Sequence, residues 1–175
     1  ASGLEVRVLP LYGQLAQEAQ DAAIAPGREG ERKVVLTTSI AETSLTVQGV
    51  RVIIDSGLMR VSRFSPRTGM TRLVTERVTR DAADQRRGRA GRLGPGVCFR
   101  LWSETEHGSL AEHRTPEIAA ADLAPLALEL AAWGAQDASQ LSWLTPPPEA
   151  ALEQARSLLQ KLDALDGAGS LTDHG

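Results

Sequence analysis

Eight consecutive residues carry the densest chemistry in the chain: Gln85-Arg86-Arg87-Gly88-Arg89-Ala90-Gly91-Arg92. On a helix, Gln85, Arg89 and Arg92 stand at i, i+4 and i+7 and share one face. That face offers one amide and two guanidiniums with forked donors. It suits a group over which negative charge spreads as it reacts, such as a phosphoryl group in transfer. Gly88, Ala90 and Gly91 fall mostly on the other side. A glycine weakens a helix by about 1 kcal/mol relative to alanine, so close backbone packing is expected around them. The plain alternative is a solvated basic helix that grips nucleic-acid phosphates.

A second constellation is Thr37-Thr38-Ser39-Ile40-Ala41-Glu42-Thr43-Ser44-Leu45-Thr46. It closes the β-branched run Lys33–Thr38, and ligands of open α/β sheets bind where strands end. Its hydroxyls, with backbone N–H groups at a helix start, can hold phosphate oxygens without a lysine. Taken alone, a Ser/Thr-rich turn is more often a helix cap.

These residues need elements to hold them. Glu5–Leu11 alternates as a short strand, and Gln14–Ala25 reads as a helix stopped by Pro26-Gly27. Lys33–Thr38 and Arg51–Asp55 read as buried parallel strands. Met59–Ser65 and Met70–Val78 flank Pro66-Arg67-Thr68-Gly69, the composition of a β-hairpin turn, and Arg60, Arg63, Arg67, Arg72 and Arg77 decorate that hairpin. Asp81–Arg92 reads as a helix and Val97–Trp102 as a final strand. Strands alternating with helices predict an α/β fold with a parallel sheet. After about residue 103 alanine, leucine and acids dominate. Asp122–Trp133 and Glu149–Leu165 read as amphipathic helices, with Leu126, Leu130, Leu158, Leu159 and Leu162 expected in their core. Ser170–Thr172 could begin a strand. Trp102, Trp133 and Trp143 are expected as packing anchors, and Cys98 as a buried, inert thiol.

The charge distribution narrows the function classes. The 175 residues carry a net charge of −3, which by itself argues against nucleic acid. Yet residues 51–100 hold 12 arginines, no lysine and four acids, while residues 101–175 hold three basic and 12 acidic residues. Arginine supplies 17 of the 19 positive charges. Such an excess suits bidentate contact with phosphate or carboxylate. The single Cys98 and the scattered His107, His113 and His174 suggest no disulfide and no metal cluster. No apolar run approaches the ~20 residues of a bilayer span, and a soluble, cytoplasmic chain is expected.

Read in order, Leu9-Pro10-Leu11-Tyr12-Gly13, the segment 37–46, Val52-Ile53-Ile54-Asp55-Ser56-Gly57 and the octamer resemble motifs of the second RecA-like lobe of DEAH/RHA-type superfamily 2 helicases. PLYG looks like motif IV, TTSIAETSLT like motif V and QRRGRAGR like motif VI. The resemblance covers nearly the whole chain and is strongest to bacterial members. It implies a RecA-like lobe over residues 1–103 with an inserted β-hairpin, a linker over 104–121, and the α-helical start of a winged-helix domain over 122–175.

It also implies roles. Gln85 would orient the attacking water. Arg89 and Arg92 would be arginine fingers on the phosphates of ATP, whose Mg²⁺ would be held mainly by another lobe. Ser44, Thr46 and Gln48 would lie near the nucleotide. Tyr12, Gly13, Thr38, Arg63 and Arg67 would lie along single-stranded nucleic acid, RNA or DNA, with the hairpin as a wedge or guide. Tyr12 and Phe64 could stack on bases, though packing is the commoner use of an aromatic. Three positions depart from the family pattern: Gln48 stands where an acid is frequent, Ile24 where eukaryotic members stack the adenine on an aromatic, and Arg87 where alanine is common.

Neither Lys33 nor Lys161 sits in a G-x-x-x-x-G-K-[ST] loop, and no Asp-Glu pair is present for a Walker B magnesium site. The 175 residues are therefore expected to be inactive alone and to work with an upstream RecA-like lobe of the same protein. A leading strand is also expected ahead of motif IV. The competing reading is a nucleic-acid-binding or protein-docking module with the same fold and no ATPase.

Overall fold

The computed structural model describes residues 6–43, 45–135 and 137–175. The chain divides into two compact units, Ala1–Val61 with Thr75–Arg114, and Ser62–Val74 with Thr115–Gly175.

The first unit contains β1 (Val6–Leu11), α1 (Gln17–Ile24), β2 (Arg32–Thr37), the single turn α2 (Ile40–Thr43) and β3 (Val52–Asp55). A hairpin follows, β4 (Leu58–Ser65) and β5 (Met70–Arg77), whose tip belongs to the second unit. Then come α3 (Arg80–Ala90), β6 (Val97–Arg100) and α4 (Glu104–Ser109). β1 and β2 pair in parallel from Val6↔Arg32 to Leu11↔Thr37. β3 and β6 pair in parallel from Val52↔Val97 to Asp55↔Arg100. The α/β architecture with parallel strand pairs and an inserted hairpin is thus the one the sequence predicts.

The strands are less buried than expected. Side chains alternate across a strand, so Val35 and Ile53 are half-buried while Val34, Leu36 and Val52 are exposed and Ile54 is 69% exposed. Among the described residues each parallel pair is covered on one face only, whereas parallel sheets are usually covered on both. Cys98 on β6 is accordingly half-buried rather than buried. Burial still pushes its thiol above the usual range, which keeps it neutral.

Helix α3 forms because one face is alanine. Ala82, Ala83 and Ala90 are buried, and Val78, Ala82, Ala83 and Leu110 make a small core against which Trp102 packs. The first N–H groups of a helix lack partners inside it. Here the N–H of Arg80 donates to the Ala111 carbonyl at 2.9 Å and that of Asp81 to the Glu112 carbonyl at 3.2 Å. Gly57, with φ +73°, lets the turn from β3 to β4 pass beneath Trp102, where a Cβ would come within 2.7 Å of the indole. Lys33, which has no phosphate loop, instead donates to the carbonyls of Ala23 (3.0 Å) and Ala25 at the end of α1. A cation there suits the helix C-terminus. Residues 104–121 are not structureless: α4 opens with a capping box between Ser103 and Glu106.

In the second unit α5 (Ala124–Ala132) and α6 (Glu149–Lys161) pack through Leu123, Ala127 and Leu130 against Leu152, Ala155 and Leu159. Pro125 sits in the first turn of α5, where its missing N–H costs nothing. Leu126 and Trp143 lie against this core, and the Trp143 indole donates to the Ala138 carbonyl at 2.7 Å. Three expected core residues are exposed instead: Leu158, Leu162 and Trp133, the last 74% exposed. The buried stripe of α6 runs through 152, 155 and 159, and one residue's step turns Leu158 about 100° away from it. Leu162 and Trp133 cap their helices and lie past the packed turns. The expected strand at 170–172 is a single bridge, Leu165↔Leu171. No helix among the described residues is long and apolar enough to cross a membrane.

Candidate nucleotide and strand-binding site

The octamer lies on α3 and the turn beyond it. Gln85 is exposed and Arg89 half-buried, one turn apart on the same side. The helix ends at Ala90 with Gly91 as its cap, so Arg92 stands in the following turn rather than at a helical i+7 position. Gly91 and the Gly94-Pro95-Gly96 break stop the helix two residues early. The expectation of close packing around the glycines is also overturned. A Cβ at Gly88 or Gly91 would meet nothing within 4 Å. Gly88 lies only about 60° round the helix from Gln85, on the outward side.

Arg86 does the opposite of its neighbours. It turns inward on the alanine face, its side chain 16% exposed. Its Nε donates to Oε2 of Glu42 at 3.1 Å, and its Nη1 donates to Oδ1 of Asp55 at 2.8 Å and to the Leu58 carbonyl at 3.1 Å. Both carboxylates are deeply buried, Glu42 at 3% and Asp55 at 1% side-chain exposure. Oδ1 of Asp55 also accepts from the N–H of Gly57 at 3.0 Å, and Arg114 donates to Oε1 of Glu42. One guanidinium therefore joins α2, the end of β3, the start of β4 and α3. Sequence reasoning missed this network. The signal available was an acid inside each of the two apolar, hydroxyl-rich segments, since buried acids need cationic partners.

The outward residues of α3 hold surface pairs. Arg87, 63% exposed, reaches Asp84 at 3.4 Å, and Arg100 reaches the same carboxylate at 2.7 Å. The hydrogen bond from Arg100 holds the Asp84 carboxyl below the usual carboxylate range. Burial pushes Asp81 up, but the Thr79 hydroxyl, the Ala82 N–H and His113 outweigh it, and its net direction is also down.

The second constellation meets the first strand. Parallel pairing brings the ends of β1 and β2 together, and the Thr38 N–H donates to the Leu11 carbonyl at 3.2 Å. A Cβ at Gly13 would stand 4.0 Å from the Ile40 side chain at the start of α2. Tyr12, Gly13 and Thr38 thus share one exposed edge. Thr46 is half-buried and Gln48 exposed; the Gln48 N–H donates to the Ile24 carbonyl at 3.2 Å, with Ile24 half-buried. Ser44 lies outside the described residues. Arg63 and Arg67 fall in the second unit, Arg63 half-buried and Arg67 exposed at the hairpin turn. Phe64 is half-buried there, its N–H donating to the Ala120 carbonyl at 3.3 Å.

Comparison with known proteins converges on one family. Residues 1–94 match the model of the helicase conserved C-terminal domain. The chain is 48% identical over 165 residues to the ATP-dependent RNA helicase HrpB of Escherichia coli, covering 94% of this chain and 20% of that protein. It is 39% identical over 172 residues to the pre-mRNA-splicing factor ATP-dependent RNA helicase prp22 of Schizosaccharomyces pombe, covering 98% of this chain and 15% of that one. A crystal structure of E. coli HrpB, a DEAH/RHA helicase, superposes with a TM-score of 0.93 at 47% identity, over 99% of this chain and 22% of its own. The chain thus spans about a fifth or less of the length of these relatives. With its motif VI helix rooted in the sheet and its motif IV and V ends side by side, the chain belongs to the family of the helicase conserved C-terminal domain and is a homologue of the DEAH/RHA ATP-dependent RNA helicases.

Proposed function

We propose that this chain is the second RecA-like lobe of an ATP-dependent RNA helicase, over residues 1–103, followed by a linker over 104–121 and the start of a winged-helix domain over 122–175. The observation that carries this reading is the two-sided helix α3. Gln85 is exposed and Arg89 half-buried one turn apart on one side of the helix, while Arg86 anchors the inward side to two buried carboxylates. Donors aimed at developing charge work best when they need not reorganise.

In this reading Gln85 orients the water that attacks the terminal phosphate. Arg89 and Arg92 donate to the phosphate oxygens from across a cleft formed with an upstream lobe. ATP supplies the phosphoanhydride whose hydrolysis drives strand movement. Ser44, Thr46 and Gln48 are assigned to the nucleotide. The set fits phosphate oxygens and a water: two donor-only guanidiniums, and one amide that can both donate and accept. Its guanidiniums cannot ligate Mg²⁺, which takes oxygen ligands. The metal is assigned to the other lobe. Tyr12, Gly13 and Thr38 contact the backbone of single-stranded RNA, and Arg63 and Arg67 guide it along the hairpin. Likeness to the E. coli relative supports a bacterial cytoplasmic setting.

The test is ATP hydrolysis by the full-length protein. Arg89→Ala should lower the rate by about 10³-fold, the low end for an arginine finger, with the thermal midpoint unchanged. A rate near that of the parent overturns the assignment.

A further inference from the structure

Glu42, Asp55, Arg86 and Arg114 form one set of four charged groups. Glu42 is the only acid of α2, a four-residue turn set between Thr38 on one side and Thr46 on the other. Its carboxylate is gripped from two directions: Oε2 by Arg86 of α3, and Oε1 by Arg114. Arg86 is shared with Asp55, so two buried carboxylates meet two guanidiniums and the set is neutral. Arg114 is the last residue of the first unit, and the chain passes directly from it into the second.

We infer that Arg114 is a positioning residue that sets how strongly strand binding is felt at the nucleotide. The inference rests on the functional reading above. With Arg114 present, Glu42 needs only half of its charge balanced by Arg86, and the Arg86 guanidinium is left to hold Asp55 and the Leu58 carbonyl. Without Arg114, Arg86 is the sole cation for two buried carboxylates. An uncompensated buried charge is costly, so Arg86 is drawn toward Glu42 and its hold on the end of β3 loosens. Gln85 precedes Arg86 directly, and Arg89 lies one turn beyond. A shift at Arg86 therefore alters the link between α2 and α3, while Gln85 and Arg89 keep their places on the helix. Arg114 touches neither nucleotide nor strand in this account. It acts on the join between the segment bearing Thr38 and the helix bearing Arg89, and a half-exposed side chain (42%) can make or release that contact without unfolding the lobe.

The experiment uses the full-length protein and measures ATP hydrolysis with and without single-stranded poly-uridine RNA. Arg114→Met keeps the length of the side chain and removes the charge; Arg114→Lys keeps the charge. For Arg114→Met the expected result is an unchanged basal rate and an RNA-stimulated increment reduced about fivefold or more, the low end of typical coupling between sites. Arg114→Lys should restore at least half of the increment. The proposal is overturned if Arg114→Met is stimulated like the parent, or if its basal and stimulated rates fall together with its thermal midpoint, the mark of a purely structural residue. It is also overturned if Arg114→Lys behaves like Arg114→Met. A parent protein whose hydrolysis RNA does not stimulate refutes the underlying functional reading, and the inference falls with it. Retained hydrolysis in Arg89→Ala, by contrast, removes only the finger assignment and leaves the Arg114 comparison decisive.

Discussion

Two adjacent arginines of one motif have opposite fates. Arg86 is half-buried and bonded to two buried carboxylates and a carbonyl; Arg87 is exposed and shares Asp84 with Arg100. Breaking a buried pair by removing one partner strands the other charge, and typically costs about 3–5 kcal/mol. An exposed pair is worth about 0–1 kcal/mol. Arg86→Ala should therefore lower stability by about 3–5 kcal/mol, while Arg87→Ala should stay within about 0.5 kcal/mol of the parent. Urea unfolding of the two variants side by side checks this. Equal losses would show that the inward network is not what holds α3. The octamer alone did not reveal the difference, because residue type is the same at both positions and only the helix face separates them.

At the scale of the element, α3 is a helix built with glycine where nothing among the described residues crowds it. Gly88 has open space where its Cβ would be, and it is not in a left-handed conformation. Alanine there should stabilise the fold by about 0.5–1 kcal/mol, from helix propensity and a less free unfolded chain. Under the proposed function the bare backbone on the outward face leaves room for phosphate oxygens. Gly88→Ala should then raise the unfolding midpoint while lowering ATP hydrolysis by the full-length protein. A variant that is more stable and fully active would mean the space serves no ligand. The elements themselves were largely legible. β2, β3, the hairpin and α3 appear within a few residues of the sequence reading, because β-branched runs, turn residues and alanine stripes act locally. Burial was less legible. Alternation across a strand says which residues share a face, not whether that face is covered, so Ile54 and Leu36 read as buried and are not.

Over the whole molecule, charge separates along the chain. Residues 51–100 carry 12 of the 17 arginines, and residues 101–175 carry 12 of the 22 acids. Part of the arginine excess is internal, since Arg86 is spent on Glu42 and Asp55 and Arg100 reaches Asp84. Of the hairpin arginines, Arg77 reaches Glu106 at 2.9 Å, and Arg67 stands exposed at the turn. Each phosphate contact releases counterions, so affinity for single-stranded nucleic acid falls with salt, with a slope of about 0.7 per contact. For the full-length protein, Arg67→Ala should make the log–log salt dependence of RNA binding shallower by about 0.7. An unchanged slope would remove Arg67 from the path of the strand.

The amino-acid order by itself pointed to the family and the α/β class, because the segments that carry the resemblance are short, contiguous and chemically specific. It also placed Gln85 and Arg89 on one helical face, since that follows from helical geometry alone. What only the tertiary structure decided is which arginine looks inward and what it meets. Glu42 lies 44 residues from Arg86 and 72 from Arg114, and Asp55 lies 31 from Arg86. Helical spacing encodes a face. The partner of that face is set by where α2 and β3 carry distant carboxylates, and by the high cost of leaving any of those charges buried alone.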